Sequence, residues 1–143
     1  MIFDHAGIVV RDLDQWEGSV RAILPIVARS VRFDDANLGV SVRFLKDRSG
    51  VLFELIAPLG PNSPVERIAS SRVGVINQVA YRVPDLTAAA REFRSNRAVP
   101  IGPPKPAIAF AGANVQFFMA PAGFIVELIE AIDFIHSFEE LDH

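Results

Sequence analysis

The sequence contains no cysteine, which excludes disulfides and thiolate metal ligands alike. It has no uninterrupted apolar run near the ~20 residues that a membrane-spanning helix needs and no Lys/Arg-rich cluster. A large excess of either charge is absent too, with 14 Lys and Arg against 17 Asp and Glu. The formal net charge is −3, so neither nucleic acid nor a membrane is an expected partner. The opening MIFDHAGIVVRDLD becomes charged too early for a signal peptide, and the cytoplasm is the default location by absence of an address. Apolar residues are abundant. They make up 50% of the 143 residues, enough for a single domain, 1–143, with a core of its own.

Self-comparison exposes an internal duplication. At an offset of 73 residues, DHAGIVVRDL (Asp4 to Leu13) falls on NQVAYRVPDL (Asn77 to Leu86) without a gap. At the same offset VRFL (Val42 to Leu45) falls on VQFF (Val115 to Phe118), Gly50 on Gly123, and FELI (Phe53 to Ile56) on VELI (Val126 to Ile129). Several matches at one offset across both halves identify a duplicated module. Module one covers 1–59, a bridging loop and helix 60–73, module two 74–131, and a tail 132–143.

Each copy reads the same way. Ile2 to Arg11 and Val75 to Val83 are β-branched and apolar on both faces, as buried strands are. Asp12 and Asp85 then cap helices predicted from Leu13 to about Leu24 and from Leu86 to about Asn96. Strand pairs follow, Leu38 to Leu45 with Val51 to Ala57 and Ala113 to Met119 with Phe124 to Ala131, each joined by a turn carrying Gly50 or Gly123. The bridge is predicted as a Pro/Gly loop with a short helix from about Pro64 to Ser71. The tail from Ile132 is predicted as a short amphipathic helix. Two helices and about eight strands give an α+β protein with two small sheets.

The duplication also pairs polar residues that sit badly in apolar strands. His5 corresponds to Gln78, and Glu54 to Glu127, each glutamate lying inside an apolar run (VLFELIA, FIVELIE). Taken singly, such a glutamate reads as an edge residue facing water. A matched pair is better explained by convergence, because a buried carboxylate is costly unless paired or bound to a cation. One imidazole, one amide and two carboxylates form a nitrogen/oxygen set suited to a divalent ion, Zn, Ni, Co, Mn or Fe, acting as a Lewis acid. His5, Glu54, Gln78 and Glu127 are therefore the candidate metal ligands. Glu130 is expected to be solvated on the opposite side, His136 and His143 to be surface residues of the tail, and Trp16 and the phenylalanines to be core or pocket lining.

At these residues the chain resembles the vicinal oxygen chelate superfamily, and most of all its methylmalonyl-CoA epimerase branch. The segments carrying the resemblance are FDHAGIVVRDLD, FELIAPLGPNSPVERI, INQVAYRVPDLTAA and FIVELIEA. The resemblance implies two tandem βαβββ modules forming a glyoxalase-like cupped sheet around a cleft, with the metal on His5, Glu54, Gln78 and Glu127. It further implies a small-molecule substrate, a homodimer, and a metal-dependent isomerase, epimerase or lyase acting on a carbon next to a carbonyl. Glu127 and Glu54 are then the candidate catalytic bases. Epimerases of this type usually carry Gln at Glu54 and His at Gln78, whereas glyoxalase I, a lactoylglutathione lyase, carries Glu where Glu54 stands. The epimerase's other acid belongs on a strand matching roughly Gly39 to Leu45, where GVSVRFL offers none. Arg43 in that stretch is a candidate contact for an anionic substrate. A non-enzymatic, bleomycin-resistance-like binding protein is the alternative, and an extradiol dioxygenase is disfavoured because only His5 offers an imidazole.

Overall fold

The computed structural model describes residues 1–71 and 75–142. Arg72 to Gly74, at the junction of bridge and module two, and His143 lie outside the described residues.

Module one comprises β1 (Ile2–Val9), α1 (Leu13–Ile23), β2 (Ile26–Arg29), β3 (Phe33–Asp35), β4 (Val40–Asp47) and β5 (Leu52–Pro58). The bridge forms α2 (Glu66–Ser71). Module two repeats the pattern as β6 (Ile76–Arg82), α3 (Leu86–Ser95), β7 (Val99–Pro100), β8 (Lys105–Ala107), β9 (Ala113–Met119) and β10 (Ile125–Ile129), and β11 (Glu139–Glu140) lies in the tail. The predicted caps are present. Asp12 accepts a hydrogen bond from Gln15 N and Asp85 one from Ala88 N, each satisfying an orphan donor of a first helical turn. The two hairpin turns are also equivalent. Gly50 (φ +90°) donates its N–H to Asp47 O and Gly123 (φ +89°) donates to Ala120 O, a left-handed geometry that favours glycine.

The two small sheets predicted from the sequence are in fact one. Eleven strands form a continuous sheet in the order β11-β2-β4-β5-β1-β6-β10-β9-β7, with β3 joined to β4 and β8 to β9. The antiparallel pair β1–β6 fuses the modules at the centre. On either side of it lie the parallel pairs β1–β5 and β6–β10, where Glu54 stands opposite Gly7 and Glu127 opposite Ala80, again 73 residues apart. Pairing between strands of separate modules leaves no sheet edge at the join.

Each helix covers one half of the sheet. Val10, Leu13, Leu45 and Leu55 are buried with Trp16 under α1, and Val83, Leu86, Phe118 and Leu128 are buried with Phe93 under α3. A third cluster, including Val42, Phe44, Ile56, Phe110 and Ile129, fills the other side. The tail is not the predicted amphipathic helix. It runs extended, pairs β11 antiparallel with β2, and donates Leu141 N–H to Val27 O at 2.9 Å. Its apolar residues Phe134 and Phe138 pack on the third cluster, so tertiary burial outweighs local helix preference. No helix among the described residues is long and apolar enough to cross a membrane.

Candidate metal centre

His5 and Gln78 project from the two central strands, and Glu54 and Glu127 from the strands flanking them. All four are buried, at 0%, 7%, 6% and 4% exposure respectively. Their convergence depends on two matching β-bulges. Between β1 and β6 the register passes from Phe3↔Tyr81 to His5↔Ala80, leaving Asp4 as the extra residue, and from Gly7↔Gln78 to Ile8↔Ile76, leaving Asn77 as the extra residue. A bulge bends its strand and re-aims the side chains around it. Each of the two central-strand candidates thus follows a bulged neighbour at the equivalent place, Asp4 before His5 and Asn77 before Gln78.

Ligand atoms of His5, Glu54 and Glu127 lie within 4.8 Å of one another. His5 Nε2 stands 3.3 Å from Glu54 Oε1 and 3.5 Å from Glu127 Oε1. It has no hydrogen-bond partner although fully buried, an expensive condition for a polar atom. Gln78 Nε2 donates to Glu127 Oε1 at 3.2 Å, which brings the amide into the same cluster. Two atoms each about 2.0–2.2 Å from one divalent ion stand roughly 3–3.5 Å apart, so an orphaned imidazole nitrogen facing two carboxylate oxygens at these distances fits a cation. The opposite ring nitrogen is already held, because His5 Nδ1 lies 2.7 Å from Asp4 Oδ2. That fixes the ring orientation in which Nε2 faces the centre.

The electrostatics are those of a site holding protons where a cation would sit. Burial alone would pull the His5 imidazole down. The charge of Glu54, the hydrogen bond with Asp4 and the nearby Glu127 carboxylate outweigh it and hold the ring well above its ordinary value. Burial pushes the Glu127 carboxyl up to about 7, with the nearby His5 ring opposing and the charge of Glu54 adding to the rise. Asp4 behaves oppositely. Burial would raise it, but hydrogen bonds from His136 and His5 hold it well below the carboxylate range.

The centre opens into a cavity of about 340 Å³ that Glu54, Gln78 and Glu127 help to line. Most of its wall is apolar, supplied by side chains such as Val42, Ile56, Ile68, Phe110 and Phe117. Lys105 is the one cationic side chain lining it among the described residues. All these groups come from one chain.

Arg43 is not brought to the site, which corrects its expected role. Val40 and Val42 of β4 line the cavity, and strand alternation turns Arg43 to the helix side. There its Nη1 donates to Asp14 Oδ1 and Glu17 Oε1 of α1, both at 3.1 Å. Glu130 is exposed as expected, yet its Oε2 accepts Leu86 N–H at 2.7 Å at the start of α3. His136, expected at the surface, is inside. Its side chain is 8% exposed and its Nε2 lies 2.9 Å from Asp4 Oδ2. Residues that the sequence did not single out also matter. Asp4 backs His5, and Asp35, 2% exposed, lines the cavity while accepting Asn37 N, Leu38 N and Ile108 N. Strict alternation turns Asp4 away from His5. Only the bulge, which leaves no local sequence signal, brings the two together.

The profile of the Glyoxalase/Bleomycin resistance protein/Dioxygenase superfamily matches residues 4–117, more than half of the chain. No curated protein matches the chain. Among solved structures, it is similar to methylmalonyl-CoA epimerase from Mycobacterium tuberculosis, with 26% identity and a TM-score of 0.74 over 89% of this chain and 85% of that one. A hypothetical protein from Bacillus halodurans C-125 shares 24% identity and a TM-score of 0.74, covering 94% and 97% of the two chains. A single-substitution variant of Streptomyces coelicolor methylmalonyl-CoA epimerase, solved in complex with 2-nitronate-propionyl-CoA, matches at 21% identity with a TM-score of 0.70, over 90% of this chain and 96% of that one. One duplicated module, one cupped sheet, and a profile spanning most of both halves lead to the same place: the chain belongs to the Glyoxalase/Bleomycin resistance protein/Dioxygenase superfamily.

Proposed function

We propose that this protein is a divalent-metal-dependent isomerase or epimerase that moves a proton at a carbon next to a carbonyl. The observation that carries the reading is His5 Nε2, buried and unpartnered, 3.3 Å and 3.5 Å from the carboxylates of Glu54 and Glu127 beside an apolar cavity. His5, Glu54, Gln78 and Glu127 would hold the ion, which when bound supplies Lewis-acid polarisation of a substrate carbonyl. Similarity to methylmalonyl-CoA epimerase from Mycobacterium tuberculosis supports the reaction class.

The chain's own residues do the rest. Glu127, a buried carboxylate that lines the cavity, is placed to take a proton from an acidified C–H and return it. Glu54, its equivalent in module one, is the second base. Asp35 is the other carboxylate lining the cavity among the described residues, but its oxygens accept three backbone N–H groups and tie the loop after β3 to Ile108. Those bonds give it a structural task. The walls exclude water from the reacting carbon and receive an apolar acyl portion.

Glutamate at both flanking positions, Glu54 and Glu127, equally suits a lyase of the glyoxalase I type. Proton exchange in deuterated water separates the readings. An epimerase incorporates deuterium at the α-carbon of an acyl-CoA thioester, and a glyoxalase-type lyase turns over a hemithioacetal. Exchange with neither, by metal-loaded protein, would contradict both and leave the ligand-binding alternative.

A further inference from the structure

The tail is in contact with the metal candidate at one remove. After β10 it crosses from module two back to β2, the edge of module one, and on the way places His136 against Asp4. His136 Nε2 lies 2.9 Å from Asp4 Oδ2 and 3.1 Å from Oδ1, while the same Oδ2 lies 2.7 Å from His5 Nδ1. Arg82 completes the arrangement. Its Nε is 3.0 Å from Asp4 Oδ1, and its Nη1 donates to the tail carbonyls of Ile132 at 2.6 Å and Phe134 at 3.2 Å. The His136 ring is seated among those of Phe44, Phe134 and Phe110, with centroids at 4.5, 5.0 and 5.3 Å.

We infer that His136 is a positioning residue for the metal centre, acting through Asp4 to hold the His5 ring with Nε2 directed at Glu54 and Glu127. The inference rests on the divalent-metal reading above. An imidazole that binds a cation through one nitrogen needs the other held, and outer partners of this kind typically change metal affinity about 10–100-fold. Asp4 can hold His5 only if it is itself held. It is the extra residue of a bulge, without a register partner on β6, and its side chain is 2% exposed. The duplication supplies an internal comparison. Asn77, the equivalent of Asp4, lines the open cavity, whereas Asp4 is closed over by the tail. The two halves of the centre therefore differ, with a firmly oriented imidazole on the tail side and an amide on the cavity side.

His136 could instead simply fill the space between phenyl rings, and paired substitutions distinguish the two roles. His136→Leu keeps an apolar side chain among the rings and removes the donor, and His136→Gln keeps an N–H donor. The full-length protein is titrated with Zn²⁺ against a competing chelator and with Co²⁺ by its visible spectrum. The expected result is about 10–100-fold weaker Zn²⁺ binding and altered Co²⁺ bands for His136→Leu, with substantial recovery in His136→Gln. In an Asp4→Asn background the leucine substitution should add little further loss, since the two act in series. A folded His136→Leu with wild-type affinity and spectrum would overturn the inference, as would a loss of equal size in the Asp4→Asn background. Should the leucine variant not fold, His136→Met is read the same way. Wild-type protein that takes up neither ion overturns the metal reading and this inference with it, whereas metal-binding wild type beside an unchanged His136→Leu overturns the inference alone.

Discussion

Gly7 illustrates how tightly the centre is specified at single positions. It stands opposite Gln78, and a Cβ there would lie 2.7 Å from Gln78 Cγ and 3.0 Å from Ile56 Cδ1. Gly7→Ala is expected to push Gln78 off Glu127, weakening metal affinity on the order of tenfold while costing about 1–3 kcal/mol of stability. Chelator competition together with a thermal melt reads both, and unchanged affinity would show that Gln78 is not a ligand. Glu127 makes a different prediction. Its folded-state pKa of about 7 lies above the ordinary 4.5. In the metal-free protein the protonated carboxyl therefore favours the fold fully below about pH 4.5. That contribution is lost as pH rises through about 7. Glu127→Gln removes the loss. The metal-free variant should gain on the order of 1–2 kcal/mol over wild type at pH 8 while losing metal binding. A wild-type melting temperature that does not fall between pH 5 and 8 would count against a raised Glu127 carboxyl.

Residues and their environments were unequally legible in the sequence. His5, Gln78, Glu54 and Glu127 are marked by polarity inside apolar runs and by one offset, because burying a carboxylate needs a reason that persists in both copies. Asp4 and His136 carry no such mark. Their roles depend on a bulge and on a tail that returns from 132–142 to β2, and both are tertiary events. Arg43 was misread for the complementary reason. A charge in a cleft-facing segment invites a substrate role, but one step of strand alternation sends it to Glu17 instead.

At the scale of elements, the duplicated unit of strand, helix and strands was readable because hydrophobic period and capping residues agree. β2, β3, β7 and β8 were not. They are two to four residues long, and β7 and β8 lie among prolines, so they carry too little periodicity to register. The helix starts are suited to a quantitative check. At α3, Asp85 accepts Ala88 N and Glu130 accepts Leu86 N, two donors of one first turn held by separate side chains. Asp85→Ala should cost about 1 kcal/mol of stability and leave metal affinity unchanged, since α3 packs on the face of the sheet away from the centre. Denaturant unfolding with parallel metal titration checks this, and a change in affinity would show that α3 position is transmitted to β10.

At the scale of the whole molecule, duplication and fusion account for the site together. Neither module alone contains more than two of the four candidate ligands. The antiparallel join of β1 and β6 brings them to one place with two carboxylates to balance a divalent charge. The burial of these groups costs stability unless a cation is bound, so metal should act as a stabilising ligand by mass action. The most direct measurement is the metal content and affinity of wild-type protein beside Glu54→Ala and Glu127→Ala. The structure predicts one tightly held divalent ion per chain in wild type, with binding lost or severely weakened in both variants. Reconstituted wild type that holds no metal, or wild-type affinity retained in both variants, would contradict the account.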